Sequence, residues 1–278
     1  MNIKKSMSNK SILITFGCSW TFGIGAGYED GMDPTDYEKN IRYDAELNWK
    51  YSWRKIVSEY FDVRNLNFSV GGSSNQRQFK EARDFFGSEN WEDTLKLYDN
   101  IIILWGITTT TRNYMYCKDV QSYRDLYLNL DALKDKNLFK QQFGFNQYED
   151  KLAVAITKWS YNKQIEIQTL EKDIIFFNKF ISQYSNVKNF WFDTFNHHPY
   201  TQKIDNFIDY EKNNRDLLSY LVKRHIKENS TNNNIIKCDD KWGYAEKSNL
   251  LNPFSFHPKK ESYKQIGEYF IKKLNPYF

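Results

Sequence analysis

Ser19 is the first residue whose place in the chain suggests chemistry, because it follows the apolar run ILITF and Gly17. A serine at the carboxyl end of a buried strand lies where open α/β sheets hold their ligands. Nucleophilic acyl transfer requires such a hydroxyl, a histidine that accepts its proton, and donors aimed at the developing oxyanion. Ser19 by itself is more typical of a helix N-cap, so the prediction depends on its companions.

Three later segments could supply those companions. The segment NLNFSVGGSSNQ ends a predicted strand at Gly71 and Gly72, where a backbone amide can approach a ligand closely. The segment IIILWGITTTTR offers the hydroxyl of Thr108, and Arg112 could hold an anionic or polyhydroxy group. In NPFSFHPKK, the proline after His257 favours an extended backbone that suits a general base. Each segment taken alone is also typical of an ordinary turn or helix cap.

Together, the four segments resemble the sequence blocks of the SGNH, or GDSL-type, hydrolase superfamily. Residues 17–19, Gly-Cys-Ser, match its first block, Gly-Asp-Ser. Asn67 and Gly72 match the second block, and residues 106–108, Gly-Ile-Thr, match the third, Gly-x-Asn. Residues 257–258 match the His-Pro of the last block, so the resemblance extends from residue 12 to about residue 273.

The resemblance implies a flavodoxin-like sheet of strand order 2-1-3-4-5 and a serine esterase that needs no metal and no cofactor. It implies that Ser19 is the nucleophile and that His257 is the general base. The oxyanion hole would then consist of Ser19, Gly72 and Thr108. Weaker contacts with the substrate are expected from Trp20, Asn75, Trp105 and Arg112.

Three positions depart from the blocks. Cys18 stands in place of the Asp of the first block, and Thr108 stands in place of the oxyanion-hole Asn. Phe254 and Ser255 occupy the positions where the superfamily keeps the acid of its catalytic triad. Loss of that acid removes control of the histidine tautomer, which costs about 10⁴ in rate in a serine protease. The groups that could orient the ring instead are a backbone carbonyl, Asn252 and Asp240.

The elements that must position these residues alternate along the chain. Apolar runs predict strands at residues 11–17, 63–69, 100–106, 188–194 and, less surely, 234–240. Helical spacing predicts helices at residues 49–61, 75–86, 167–184, 211–228 and 259–274. This alternation predicts a three-layer α/β/α sandwich around a five-stranded, mostly parallel sheet. One domain over residues 1–278 is expected, with a loop at 24–46 and an insertion at about 107–165.

Composition narrows the classes of function. The chain has 278 residues, 40% hydrophobic, and a net charge of +4, which argues against nucleic acid and against an anionic membrane surface. Three cysteines with no CxxC spacing suggest neither a disulfide framework nor a zinc site. The sequence contains no typical signal peptide or membrane-spanning run, so a cytoplasmic, soluble protein is expected. Asp193, His197 and His198 are interpreted as loop residues near the cleft, and no metal site is predicted.

Two hypotheses of different classes follow. The first is a serine-dependent ester hydrolase that removes a small acyl group, such as O-acetyl, from a carbohydrate or a similar small-molecule ester. The alternative is a catalytically degenerate domain that binds a glycan or a protein partner, which the missing triad acid favours. The oligomeric state is left open.

Overall fold

The computed structural model describes residues 10–117, 122–127, 162–198, 204, 206–208, 210, 216–229, 240–253 and 255–278. Its strands are β1 (Ser11–Phe16), β2 (Arg64–Asn67), β3 (Asn100–Ile107), β4 (Arg112–Cys117), β5 (Ser122–Tyr127) and β6 (Val187–Asp193). Four of them form one sheet in the order β2-β1-β3-β6, and every neighbouring pair is parallel. Their carboxyl ends therefore meet at a single edge of the sheet.

The helices lie on both faces of this sheet. They are α1 (Ser19–Phe22), α2 (Pro34–Asp36), α3 (Ala45–Lys50), α4 (Trp53–Phe61), α5 (Asn75–Phe86), α6 (Glu89–Leu97), α7 (Lys163–Ile181), α8 (Leu217–Asn229), α9 (Lys241–Lys247) and α10 (Lys260–Leu274). A π-helical turn (Tyr37–Ile41) follows α2, and a 3₁₀ turn (Asn275–Tyr277) follows α10. Within the described ranges, none of these helices is both long and apolar enough to cross a membrane.

Alternating side chains of the strands build two cores. In β1, Leu13 joins a core with residues of α4, α8 and α10, whereas Ile12 and Ile14 join a second core with α5, α6 and α7. A strand points successive side chains to opposite faces, so a strand that is apolar throughout must be covered on both sides. The predicted three-layer α/β/α sandwich is confirmed.

Four of the five predicted strands are present, in the predicted order. Residues 234–239 of the fifth lie outside the described residues, and Asp240 is the N-cap of α9. The helix predicted at residues 49–61 is two helices, because the Ser52 hydroxyl accepts the Lys55 N–H at 3.3 Å and starts α4 as a new helix. The predicted loop at 24–46 contains α2, the π-helical turn and the start of α3.

The predicted insertion at 107–165 begins with a hairpin that the sequence patterns missed. Strands β4 and β5 pair antiparallel, and the hairpin binds to the start of α5. The Tyr114 N–H donates to Gln76 Oε1 at 2.8 Å, and Asp125 Oδ1 accepts the Ser74 N–H at 2.8 Å. Residues 118–121 and 128–161 of the predicted insertion lie outside the described residues.

Candidate active site

Ser19 is the first residue of α1, immediately beyond the carboxyl end of β1. A Cβ atom at Gly17 or at Gly106 would overlap the Thr21 hydroxyl, so both positions require glycine. Thr21 therefore seats α1 on the ends of β1 and β3. Ser19 is 2% exposed, and no described group forms a hydrogen bond with its hydroxyl.

Arg54 of α4 fixes the other end of α1, a role that the sequence patterns did not suggest. Its Nε–H donates to the Thr21 carbonyl at 2.7 Å, and an NH2 hydrogen donates to the Phe22 carbonyl at 2.8 Å. These carbonyls belong to the last turn of the helix, which has no partner within the helix for them. Gly23 then ends α1 with a φ of 104°, a left-handed conformation that favours glycine. The Ser19 backbone is thus held at both ends of a single helical turn.

His257 lies in the loop between α9 and α10. The Asn252 N–H donates to the His257 carbonyl at 2.7 Å, and the Phe256 N–H donates to the Asn252 carbonyl at 2.9 Å. Leu251 and Pro258 form a β-bridge beside these bonds. Phe256 has a φ of 54°, which is uncommon for an aromatic residue and marks a strained backbone next to the histidine.

Gly25 brings the histidine loop to the serine loop. Its φ is 94°, and a Cβ atom there would lie 2.8 Å from the His257 Cβ and 2.7 Å from the Pro258 carbonyl oxygen. Gly25 follows Ser19 by six residues. The structure therefore places His257 against the loop that follows α1, the helix that Ser19 begins, although no hydrogen bond joins the two side chains in the described part of the chain.

The His257 ring is neutral at physiological pH. Its pKa is lowered to about 3, chiefly by burial and then by the positive charges of Arg42 and Arg112. The backbone of Ser255 acts in the opposite direction and favours the charged ring. Nδ1 makes no hydrogen bond within the described residues, and the Ser255 hydroxyl lies 3.1 Å from the Tyr37 hydroxyl. In the described part of the chain, no carboxylate pairs with the His257 ring.

The other two predicted oxyanion-hole residues lie at the same edge of the sheet. Gly72 has a φ of 77° in the turn after β2, and none of the described groups accepts its N–H. Thr108 follows β3 and is fully buried. Its hydroxyl has no hydrogen-bond partner among the residues that the structure describes. Both residues retain donors that a ligand could use.

A polar network surrounds the backbone of Thr108. Asn75 Oδ1 accepts the Thr108 N–H at 2.9 Å, and Asn75 Nδ2 donates to the Thr108 carbonyl at 2.9 Å. His198 Nε2 lies 3.0 Å from the same carbonyl, and the His198 N–H donates to Asp193 Oδ2 at 2.9 Å. His197 Nδ1 lies 3.4 Å from that carboxylate oxygen.

Asp193 is fully buried, and burial raises the pKa of its carboxyl group while the two histidines lower it. The sequence interpretation left Asp193 and His198 as loop residues near the cleft. A polar residue that directly ends a buried strand is the signal that could have identified Asp193.

Two of the predicted substrate contacts are wrong. Trp105 is fully buried and stacks between Phe16 and Trp191, with ring centroids 4.3 and 4.6 Å away. Trp20 is 2% exposed and packs in the other core, 5.6 Å from the Phe195 ring centroid. Aromatic residues at strand ends face the helices here, so neither indole is available for stacking on a sugar.

Arg112 remains a predicted substrate contact. Its guanidinium lies 5.9 Å from the Phe195 ring centroid, and NH1 is 3.5 Å from the Ser73 carbonyl. Its charge also reaches His257. Asp240, one of the groups considered for orienting the histidine, instead accepts the Gly243 N–H at 2.8 Å as the N-cap of α9. Across the described ranges, no three His, Cys, Asp or Glu residues cluster as metal ligands would.

Comparison with known proteins gives similarity at the level of solved structures. No protein-family model matches the sequence, and no curated protein is similar to it. A structure assigned to the lipolytic G-D-S-L family from Desulfitobacterium hafniense is 14% identical, with a TM-score of 0.37, over 94% of this chain and 98% of that one. The lipase/acylhydrolase from Enterococcus faecalis is 11% identical, with a TM-score of 0.35, over 96% of each chain.

A third structure, the lipase Lip_vut3 from a goat rumen metagenome, is 15% identical, with a TM-score of 0.29, over 95% of this chain and 96% of that one. All three TM-scores are below 0.5.

Proposed function

We propose that this protein is a serine-dependent ester hydrolase in which Ser19 is the nucleophile and His257 is the general base. The observation that carries the proposal is the contact of His257 with Gly25, in the loop that follows Ser19. The Ser19 hydroxyl has no described hydrogen-bond partner that would compete for its proton. The pKa of His257, lowered to about 3, keeps the ring neutral, which is the form that a general base must have before it takes a proton.

The reaction we propose has two steps. The Ser19 Oγ attacks the ester carbonyl carbon while His257 takes the hydroxyl proton, and the ester C–O bond then breaks as His257 protonates the leaving alcohol. Water, deprotonated by His257, attacks the acyl-enzyme and releases the acid and the free Ser19 hydroxyl. The oxyanion of each tetrahedral intermediate would be stabilised by the Ser19 and Gly72 amides and by the Thr108 hydroxyl.

The substrate we propose is an ester with a small acyl group, such as O-acetyl on a carbohydrate. The 2% exposure of Ser19 supports a small acyl group, because a long chain could not reach the hydroxyl without moving its neighbours. Arg112 supports a polyhydroxy or anionic alcohol part, since a guanidinium offers several hydrogen-bond donors. The buried Trp20 and Trp105 give no support to sugar stacking.

The alternative is a degenerate domain that binds a glycan or a protein partner without hydrolysis. The observation that favours it is His257 Nδ1, which is buried and makes no hydrogen bond within the described residues. A base with a pKa near 3 is a weak proton acceptor at neutral pH. Measurement of turnover separates the two proposals.

The test combines hydrolysis of p-nitrophenyl acetate with labelling by a fluorophosphonate, followed by mass spectrometry of the labelled peptide. We expect the wild type to hydrolyse the ester and to carry the adduct on Ser19. Ser19→Ala should lose both the turnover and the adduct. Ser58→Ala removes a different buried hydroxyl, one on α4, and should retain both. A folded wild type with neither turnover nor an adduct would reject the hydrolase and favour the binding domain.

A further inference from the structure

Asn75 joins the turn after β2 to the turn after β3. It is the first residue of α5, three positions after Gly72, and it is 6% exposed. Its amide oxygen and nitrogen pair with the N–H and the carbonyl of Thr108, both at 2.9 Å. Two hydrogen bonds from one planar amide define both the distance and the orientation of the Thr108 peptide. The sequence pattern suggested a contact with substrate, but this amide is committed to the backbone.

The start of α5 is itself firmly placed, so the Asn75 amide has a rigid base. The Ser74 hydroxyl accepts the Arg77 N–H at 3.2 Å and caps the helix. The Ser74 N–H donates to Asp125 of the β4–β5 hairpin at 2.8 Å. Because α5 holds Asn75 in place, the two hydrogen bonds of the Asn75 amide also hold Thr108 in the neighbouring turn.

The Thr108 carbonyl is held from a second side. His198 Nε2 lies 3.0 Å from it, and the His198 backbone is held by the buried Asp193 carboxylate. The Thr108 peptide is thus fully occupied by Asn75 and His198. Its hydroxyl, in contrast, makes no hydrogen bond in the described part of the chain. Such an arrangement fixes a backbone and leaves one donor for another molecule.

We propose that Asn75 is a positioning residue that sets the separation of the Gly72 and Thr108 donors in the oxyanion hole. This inference rests on the proposed esterase function. Preorganised donors stabilise an oxyanion because they need no rearrangement during the reaction. A displacement of about 1 Å in such a group can cost about 10² in rate. Asn75 itself does not touch the reacting atoms.

The test compares Asn75→Ala, Asn75→Asp and a matched control. Asn186→Ala is the control, because its amide also clamps backbone, donating to the Tyr98 carbonyl at 3.0 Å at the opposite end of β6. The experiment measures kcat and KM for p-nitrophenyl acetate, the melting temperature, and amide hydrogen exchange at Thr108.

We expect Asn75→Ala to lower kcat about 10²-fold with less than about a threefold change in KM, because only the transition state carries the oxyanion. Asn75→Asp should lower kcat further, since it places an anion beside the Thr108 carbonyl. Thr108 exchange should accelerate in Asn75→Ala, which removes the acceptor of the Thr108 N–H. Asn186→Ala should lower the melting temperature but leave kcat and Thr108 exchange unchanged.

Two results overturn the inference. If the Asn75 variants of an active enzyme keep kcat, or if Asn75→Ala keeps Thr108 exchange at the wild-type rate, Asn75 does not position the turn. If the wild type neither hydrolyses the ester nor binds the fluorophosphonate, the proposed function fails and the positioning role fails with it. Thr108 exchange, which needs no activity, distinguishes the two cases.

Discussion

His198 and His257 lie at the same edge of the sheet, but their surroundings are opposite. His198 sits beside the buried Asp193 carboxylate, and its Nε2 contacts the Thr108 carbonyl at 3.0 Å. His257 lies near two guanidinium groups, and Nδ1 makes no hydrogen bond within the described residues. The buried Asp193 carboxylate thus lies with the histidines that follow β6 and not with His257.

The difference points to a structural role for one histidine and a chemical role for the other. An imidazole nitrogen that donates to a carbonyl must carry its proton, so His198 cannot accept one at Nε2 without losing that bond. The His257 ring is neutral, and its Nδ1 makes no hydrogen bond within the described residues. We infer that His198 holds the oxyanion-hole turn and that His257 moves the proton. The four predictions below test this division, from the largest expected effect to the smallest.

Removal of each ring gives the sharpest comparison. His257→Ala should lower kcat by about 10²- to 10⁴-fold, the usual contribution of a general base, with little change in melting temperature. His198→Ala should instead destabilise the fold by about 1–3 kcal/mol, because it leaves the buried Thr108 carbonyl with one donor fewer. Kinetics and thermal unfolding of both variants provide the measurement. Equal losses of kcat at equal stability would contradict the division.

Gly25→Ala tests whether the contact between the two loops places His257. The added Cβ would lie 2.8 Å from the His257 Cβ, so the histidine must move, and kcat should fall about 10²-fold. Gly31→Ala is the matched control, because its φ is 87° but no atom lies within 4 Å of the new Cβ. Gly31→Ala should lower the melting temperature, because alanine strains the backbone at this φ, but it should keep kcat. Similar kcat values for the two variants would show that Gly25 is not needed for placement.

Ser255→Asp tests the missing acid directly. A carboxylate two residues before His257 should raise the pKa of the ring from about 3 and increase kcat at least about tenfold at neutral pH. The acid limb of the kcat/KM profile should move from about pH 3 to a higher pH, since protonation of the base stops the reaction. Ser255→Asn is the uncharged control. An unchanged acid limb in Ser255→Asp would mean that the new carboxylate does not reach the ring.

The smallest expected effect is on the pH dependence of the free energy of unfolding. The pKa of His257 is about 3 in the folded chain, against an ordinary value of 6.5, so the unfolded chain binds more protons between these values. The free energy of unfolding should therefore decrease as the pH falls through this window, by at most about 1.4 kcal/mol per pH unit. His257→Gln should reduce that slope, as measured by urea unfolding at several pH values. His225→Gln reports the effect of losing a histidine on α8, and an equal slope in both variants would contradict the assignment.

Sequence patterns predicted the bounds of helices and strands well where the contacts that define those bounds lie close together in the chain. The helix predicted at residues 75–86 has those bounds in the structure, because the Ser74 cap and the helical spacing lie within it. The strand at residues 11–17 is found as Ser11–Phe16 for a similar reason, since a run of apolar residues needs cover on both faces. The break at Ser52 was missed although its cap is also local, because the apolar spacing continues across it.

The roles of side chains in the site could not be read in this way. Asn75 and Thr108 are 33 residues apart, and their pairing exists because β2 and β3 end at one edge of the sheet. A weak contact of Trp105 with the substrate was expected because the residue is near a strand end, but the helices that cover that end bury it completely. Burial and pairing depend on which distant element packs there, which no local pattern records.

The sequence by itself determined the alternation of strands and helices, the serine after the first strand and the absence of an acid two or three residues before His257. Those features depend on residue types and short spacings. The tertiary structure alone decided that Gly25 lies against His257, that Asn75 pairs with Thr108, and that the His198 ring contacts the Thr108 carbonyl. Each of these contacts joins segments far apart in the chain, and each depends on the close approach of backbones that only the packed sheet and helices impose.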